Sequence, residues 1–327
     1  MRRREFITLL SGAAAAWPIA ARTQQAGVPV IGLLGIRTAE FDAPLLAEFI
    51  RGIRETGFVE GRNVKIEYRW AGGQFDRLPS FAEELVRRNV ALIVTFGGTA
   101  ATLAAKAAST TIPIVFAVGD DPVRSGLVSS LSRPGGKITG ATNFYNELGA
   151  KQLDLLHRLL PTVTVFAILA NPNEVAAESE INDAESAARS KGLQLTVMRA
   201  STEREIDSAF ATFAQHHVGA VLVASNPYYV VRANQLITLA ARYALPTMFW
   251  RRELPEAGGL MSYGANPTEI YHQIGTYAAR ILKGEQPGDL PVIQVTKIEF
   301  VINLKTAKAL HLDIPPTLLA LADEVIE

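Results

Sequence analysis

Short apolar runs alternate along the chain with longer stretches in which apolar residues recur at helical spacing. VPVIGLLG (28–35) predicts a buried strand, and helical spacing follows over 44–56. NVKIEYRW (63–70) alternates like a half-buried strand, and DRLPSFAEELVRR (76–88) has the spacing of a helix. ALIVTF (91–96), TAATLAAKAAS (99–109) and IPIVFAVG (112–119) predict strand, helix and strand. Strands joined by helices in this way predict an α/β class with doubly wound, mostly parallel sheets.

The order then starts again. VTVFAILA (163–170), a helix over 174–190, LQLTVMRA (193–200), a helix over 203–216, GAVLVA (219–224), ANQLITLAARYA (233–244) and LPTMFW (245–250) repeat the first series. Strand starts near Val30, Asn63, Ala91 and Pro113 answer to Val163, Gln194, Gly219 and Pro246. Two copies of one unit predict two similar lobes instead of one continuous sheet. Ligands of such sheets sit beyond the carboxyl ends of the strands, so the segments 36–41, 96–99, 118–121, 171–173, 225–229 and 250–252 are where function is expected.

The first two dozen residues stand outside this pattern. Arg2, Arg3 and Arg4 precede an alanine-rich apolar run from Phe6 to Ala21, too short for a membrane span. The form Arg3-Arg4-x-Phe6-Ile7 predicts a twin-arginine export signal over 1–23, with a Sec signal as the alternative. Its removal takes away four of the 32 basic and one of the 32 acidic side chains, leaving 28 and 31. A near-neutral chain argues against a nucleic-acid partner. The absence of cysteine excludes disulfides, thiol nucleophiles, thiolate metal sites and a lipid-anchored cysteine. A soluble, exported, periplasmic protein is the expectation.

Candidate chemistry is sparse. There is no GxxxxGK[ST] phosphate loop, no dinucleotide fingerprint and no GxSxG elbow. The five histidines show no ligand spacing, and His216-His217 reads as a solvated helix end. No metal site or cofactor is expected. Gly97-Gly98-Thr99 before a helix either binds an anion through free N–H groups or simply permits a tight turn. Asp120-Asp121-Pro122 either accepts hydrogen bonds from a ligand or forms a capped turn. Arg37 and Arg251 are either partners for a ligand carboxylate or solvated charges. Phe41, Phe96, Phe144, Tyr145, Tyr228, Tyr229, Trp250 and Tyr263 lie at strand ends or connections. Taken singly they read as core; together they suit a cleft that sandwiches a planar group.

The blocks MRRREFITLLSGAAAAWPIAAR, ETGFVEGRNVKIEYRWAGGQFDRLP, IPIVFAVGDDPV, SLSRPGGKITG, GGLMSYG and FVINLKTAKALHLDIPPTLLALADEVIE resemble ABC-transporter substrate-binding proteins of the tryptophan-binding TrpX-like subgroup, over essentially the whole chain. The resemblance implies a type I periplasmic binding fold whose two α/β lobes are joined by a three-strand hinge. It places 28–143 with 265–294 in an N-terminal lobe and 144–264 with 295–327 in a C-terminal lobe. It implies a monomer that encloses a small ligand and delivers it to an inner-membrane permease with a separate ATPase, with no catalytic residue. From the matching loops, Phe41, Thr99, Asp120, Asn143, Asn171, Tyr228, Trp250 and Tyr263 are the expected ligand contacts. An aromatic amino acid, or an aromatic or small carboxylate, is the favoured ligand; sugars are weaker. A periplasmic sensor for a membrane kinase would carry the same pattern. An exported α/β enzyme would need a nucleophile or metal cluster that is not visible.

Overall fold

The structure, a computed structural model, describes residues 27–144 and 148–327. The export-signal expectation and Tyr145 therefore lie outside the described residues. In chain order the strands are β1 (Val30–Gly35), β2 (Lys65–Trp70), β3 (Leu92–Phe96), β4 (Ile114–Val118), β5 (Ile138–Thr142), β6 (Val165–Ala170), β7 (Gln194–Arg199), β8 (Ala220–Val223), β9 (Thr247–Phe249), β10 (Met261–Ala265), β11 (Ile293–Gln294), β12 (Ile298–Asn303) and β13 (Glu324–Ile326).

They form two sheets, ordered β11-β5-β4-β3-β1-β2 and β13-β12-β10-β9-β8-β6-β7. The shared core order, β2-β1-β3-β4-β5 and β7-β6-β8-β9-β10, contains the repeat of four strands expected from the sequence and adds a fifth to each, and every neighbour within it pairs in parallel. At the edge of the second sheet, β12 runs antiparallel to β10. The sequence pattern left β5 and β10 unmarked. ITGAT and MSYGA are short and each carries a glycine, so their strand character comes from burial between neighbours more than from local propensity.

Helices cover both faces of each sheet. In the first lobe, Ala39–Glu55 and Thr268–Leu282 pack on one face, and Leu78–Arg87 with Thr99–Ala108 on the other. The first pair meets closely: a Cβ on Gly52 would lie 2.2 Å from the His272 carbonyl oxygen, so glycine is required there. In the second lobe, Gly149–Leu159 and Ala177–Ser190 cover one face, and Glu203–Gln215 with Ala233–Arg242 the other. The chain crosses between the sheets after β5, between β10 and the 268–282 helix, and between β11 and β12.

One helix begins earlier than the spacing predicted. It starts at Ala39, not at Pro44, because the Thr38 hydroxyl accepts from the Phe41 N–H at 3.3 Å and caps it. Pro44 consequently lies inside the helix.

Candidate functional site

The carboxyl ends of the two sheets face each other and bound a cleft. Arg37, Gly97, Gly98, Thr99 and Gly119 line it from the first lobe; Glu174, Ser225, Asn226, Pro227, Val230, Trp250 and Arg251 line it from the second. It holds about 350 Å³ of empty space, its open mouth included. The lobes touch along its rim: the Arg124 guanidinium donates to the Ser179 hydroxyl at 3.1 Å, and Tyr228 packs on Gly73.

The first-lobe wall is built on the turn after β3. Gly97 and Gly98 have φ of +91° and +116°, the region where only glycine is unstrained. They release the chain into the Thr99–Ala108 helix with its N-terminus at the cleft. Thr99 is buried, and its hydroxyl donates to Asp120 Oδ1. The two neighbouring aspartates divide the roles considered from sequence. Asp121 Oδ1 accepts from the Val123 N–H at 2.8 Å and shapes the turn, whereas Asp120 is 7% exposed and turned toward Thr99. Burial raises the Asp120 carboxyl above its ordinary value, against the lowering effect of the Thr99 bond.

The second-lobe wall is a polar chain capped by rings. Asn171 Nδ2 donates to Asn226 Oδ1 at 3.1 Å, and Asn226 Nδ2 donates to Glu174 Oε2 at 3.1 Å. The same Asn226 oxygen accepts from the Tyr228 N–H at 2.9 Å, capping a short helix, Pro227–Val231, where the sequence predicted a loop. That helix separates the two tyrosines. Tyr229 is fully buried in the second lobe and donates its hydroxyl to the Ala200 carbonyl at 2.8 Å, so it is core. Tyr228 is the one turned toward the opposite lobe, where a Cβ on Gly73 would lie 3.0 Å from its ring. Trp250 is 2% exposed and lines the cleft.

Arg37 and Arg251 are not solvated charges. Both are buried, and Phe41 lies between them, with guanidinium carbons 5.9 and 5.5 Å from its ring centre. Arg37 Nε donates to Asp42 Oδ1 at 2.6 Å, and Arg251 pairs with Glu253 at 2.5 Å. Burial raises the Asp42 carboxyl despite Arg37. At Glu253 burial acts in the same direction, but the Arg251 charge and hydrogen bond outweigh it and hold the carboxyl below its usual range.

Of the eight expected contacts, the structure gathers Phe41, Thr99, Asp120, Asn171, Tyr228 and Trp250 on or just behind the two walls. Asn143 follows β5 and is buried, with no hydrogen-bond partner at Oδ1. Tyr263 is not brought to this cleft: it lies half-buried in the middle of β10, and its ring packs edge-on against Phe300 at 6.2 Å, against the core on the face carrying the 149–159 helix. Successive side chains of a strand alternate faces, and Tyr263 falls on the helix-covered one.

Sequence reasoning missed Glu174 and Ser225. The spacing put Glu174 at the start of a helix over 174–190, but the helix begins at Ala177 and Glu174 is 8% exposed at the cleft. Its place in the segment after β6 was the available signal. Burial first, and then the Asp120 charge, push its carboxyl up to about 8. Behind it, Glu180 is also pushed up to about 8 by burial, although the Ser225 N–H and hydroxyl donate to it at 3.0 and 3.1 Å.

A family model for ABC transporter substrate binding proteins matches residues 45–326, most of the chain. The chain belongs to that family. This substrate-binding protein is 26% identical over 267 residues to a tyrosine-binding protein of Clostridioides difficile, covering 81% of this chain and 75% of that one. It superposes on a Streptococcus pneumoniae ABC domain in complex with L-Trp with a TM-score of 0.83, at 24% identity, over 91% of this chain and 99% of that one. The ligand-free, open structure of a Clostridium difficile substrate-binding protein with adhesive properties gives 0.64 at 22% identity, over 92% and 99%. Family members serve ABC transporters outside the cytoplasm. Among the described residues, no helix is long and apolar enough to cross a membrane.

Proposed function

We propose that this substrate-binding protein is an exported, periplasmic component of an ABC importer. It encloses an aromatic amino acid, or an aromatic or small carboxylate, between its lobes and presents it to an inner-membrane permease whose ATPase is a separate chain. The observation that carries this reading is the cleft itself: both walls stand at strand carboxyl ends, Trp250 lines it together with the Gly97–Thr99 turn, and Tyr228 reaches across to Gly73 of the other lobe. The names of the tyrosine-binding relative and the L-Trp complex favour the same ligand class.

The mechanism is linkage. A ligand that touches both walls binds the closed arrangement better than the open one, and shifts the population by that difference. The rings supply stacking area, while the free N–H groups at the start of the 99–108 helix suit a carboxylate. The chain would cross between lobes after β5, after β10 and between β11 and β12, and those crossings would act as the hinge. No nucleophile–base pair is part of this account, because the cargo leaves unchanged.

A thermal-shift screen of the protein without residues 1–23, against amino acids, aromatic acids and sugars, tests it. A true ligand at about 100 times its dissociation constant adds about 2.7 kcal/mol of stability. Trp250→Ala should abolish that shift for an aromatic ligand. Stabilisation by sugars alone would contradict the ligand class.

A further inference from the structure

We propose that Phe41 and Phe75 form a lobe-to-lobe clasp, two first-lobe rings that seat on the second lobe when the cleft closes and keep a closed form populated before any ligand arrives. The clasp rests on the reading of the cleft as a ligand-enclosing site only for its effect on affinity; closure itself is tested without ligand.

Both half-buried rings belong to the first lobe by chain position, Phe41 in the Ala39–Glu55 helix and Phe75 soon after β2. Both nevertheless pack against the second-lobe core that contains Tyr228, Trp250 and Leu254, and Phe75 packs against its own lobe's core as well. Neither ring lines the cleft. Backbone bonds tie the two segments into one platform: the Gly73 N–H donates to the Ile36 carbonyl at 2.6 Å, and the Gly72 N–H to the Arg37 carbonyl at 3.1 Å. The Thr38 cap fixes Phe41 in the first turn of its helix. The second lobe answers with Tyr228, whose ring lies so near Gly73 that a Cβ there would come within 3.0 Å of it.

Two guanidiniums, one from each lobe, complete the contact at Phe41. Arg37 is anchored in the first lobe, donating to Asp42 and, at 3.0 Å, to the Tyr271 hydroxyl. Arg251 comes from the second lobe, and its guanidinium carbon stands 5.5 Å from the centre of the Phe41 ring. The attraction of a cation to a ring face is strongest where water is excluded. Opening the cleft breaks that contact and returns parts of Phe41, Phe75 and Tyr228 to water, at a cost that grows with the apolar area exposed. None of that cost depends on a ligand. The closed form therefore carries its own stabilisation, and a ligand's apparent affinity scales with the fraction of molecules able to close without it.

The chain has no cysteine, so Val123→Cys and Val175→Cys, at exposed positions on the two lobes beside the Arg124–Ser179 rim contact, supply the two thiols for spin labels. Double electron–electron resonance on the ligand-free protein should show a short distance, alone or beside a longer one. Phe41→Ala, checked for an unchanged circular-dichroism spectrum, should lower the short-to-long ratio by about tenfold, the scale of half-burying a ring together with one cation–π contact. Phe41→Leu, which keeps apolar contact but loses the ring face, should fall between, and Phe75→Ala should shift the ratio in the same direction as Phe41→Ala. In calorimetric titration Phe41→Ala should weaken L-tryptophan and L-tyrosine by the same factor, because closure changes and no ligand contact does. A ligand-free protein showing only the long distance, or a ratio unchanged by Phe41→Ala, would overturn the clasp. A loss confined to one of the two amino acids would overturn it too, by placing Phe41 against the ligand. Failure of both amino acids to bind the unsubstituted protein would contradict the ligand class alone, and the ligand-free distances would still decide the clasp.

Discussion

The turn after β3 and the turn after β8 occupy equivalent places in the two lobes, yet they offer the cleft opposite surfaces. The first is Gly97-Gly98-Thr99, all backbone and one hydroxyl, opening a ten-residue helix. The second is Asn226-Pro227-Tyr228-Tyr229, a side-chain cap and a five-residue helix carrying rings. One duplicated unit can therefore keep its strand order while its loops diverge into a polar wall and an aromatic wall. A ligand with an apolar body and a polar head would be held by the difference between them.

The aromatic wall contains its own internal contrast, and breaking it gives the largest expected effect. Tyr229→Ala removes a fully buried ring and its bond to the Ala200 carbonyl. It should cost about 3–5 kcal/mol in urea unfolding, as large-to-small core changes do. Tyr228→Ala should cost clearly less stability and instead reduce affinity for an aromatic ligand. Equal losses of stability, with no loss of affinity at Tyr228, would show that both rings are only core.

Acidity sharpens the comparison next. Glu174 and Glu180 of the second lobe are held up to about 8 from an ordinary 4.5. Between those values the folded protein keeps protons that the unfolded chain has released. Their contribution to stability should therefore be complete below pH 4.5, fall as pH rises toward 8, and flatten above it, by up to about 1.4 kcal/mol per pH unit for each group. Thermal midpoints at pH 5, 6.5 and 8 would show the slope, and Glu180→Gln should reduce it. A midpoint that rises across this range would contradict the burial described for these acids.

The smallest effect belongs to the polar wall. Thr99→Val keeps the shape of the side chain but removes the donor to Asp120. It should cost about 1 kcal/mol, and more if Asp120 is left without compensation. An unchanged midpoint would mean that the Thr99 hydroxyl contributes nothing at this site.

The repeat made the two lobes legible from the sequence, because hydrophobic period and the succession of strands and helices are local properties of the chain. The cleft was only partly legible. Thr99 and Trp250 could be placed at the cleft because they come just after strands, where position alone points to the carboxyl edge. Tyr263 was misplaced and Tyr229 could not be told from Tyr228, since the face a side chain takes depends on register and on a short helix that a loop signal hides. Glu174 was hidden differently: the spacing made it the first residue of a helix over 174–190, and only the fold brings it to the cleft.

The most direct test is a crystal structure of the protein with L-tryptophan bound. The account predicts the indole against Trp250 and Tyr228, with both lobes in contact with the ligand. It would be contradicted by a ligand bound on one lobe alone, for example in the larger cavity of the first lobe lined by Ile112, Ile114, Leu127, Val128 and Ile138, with the cleft left empty.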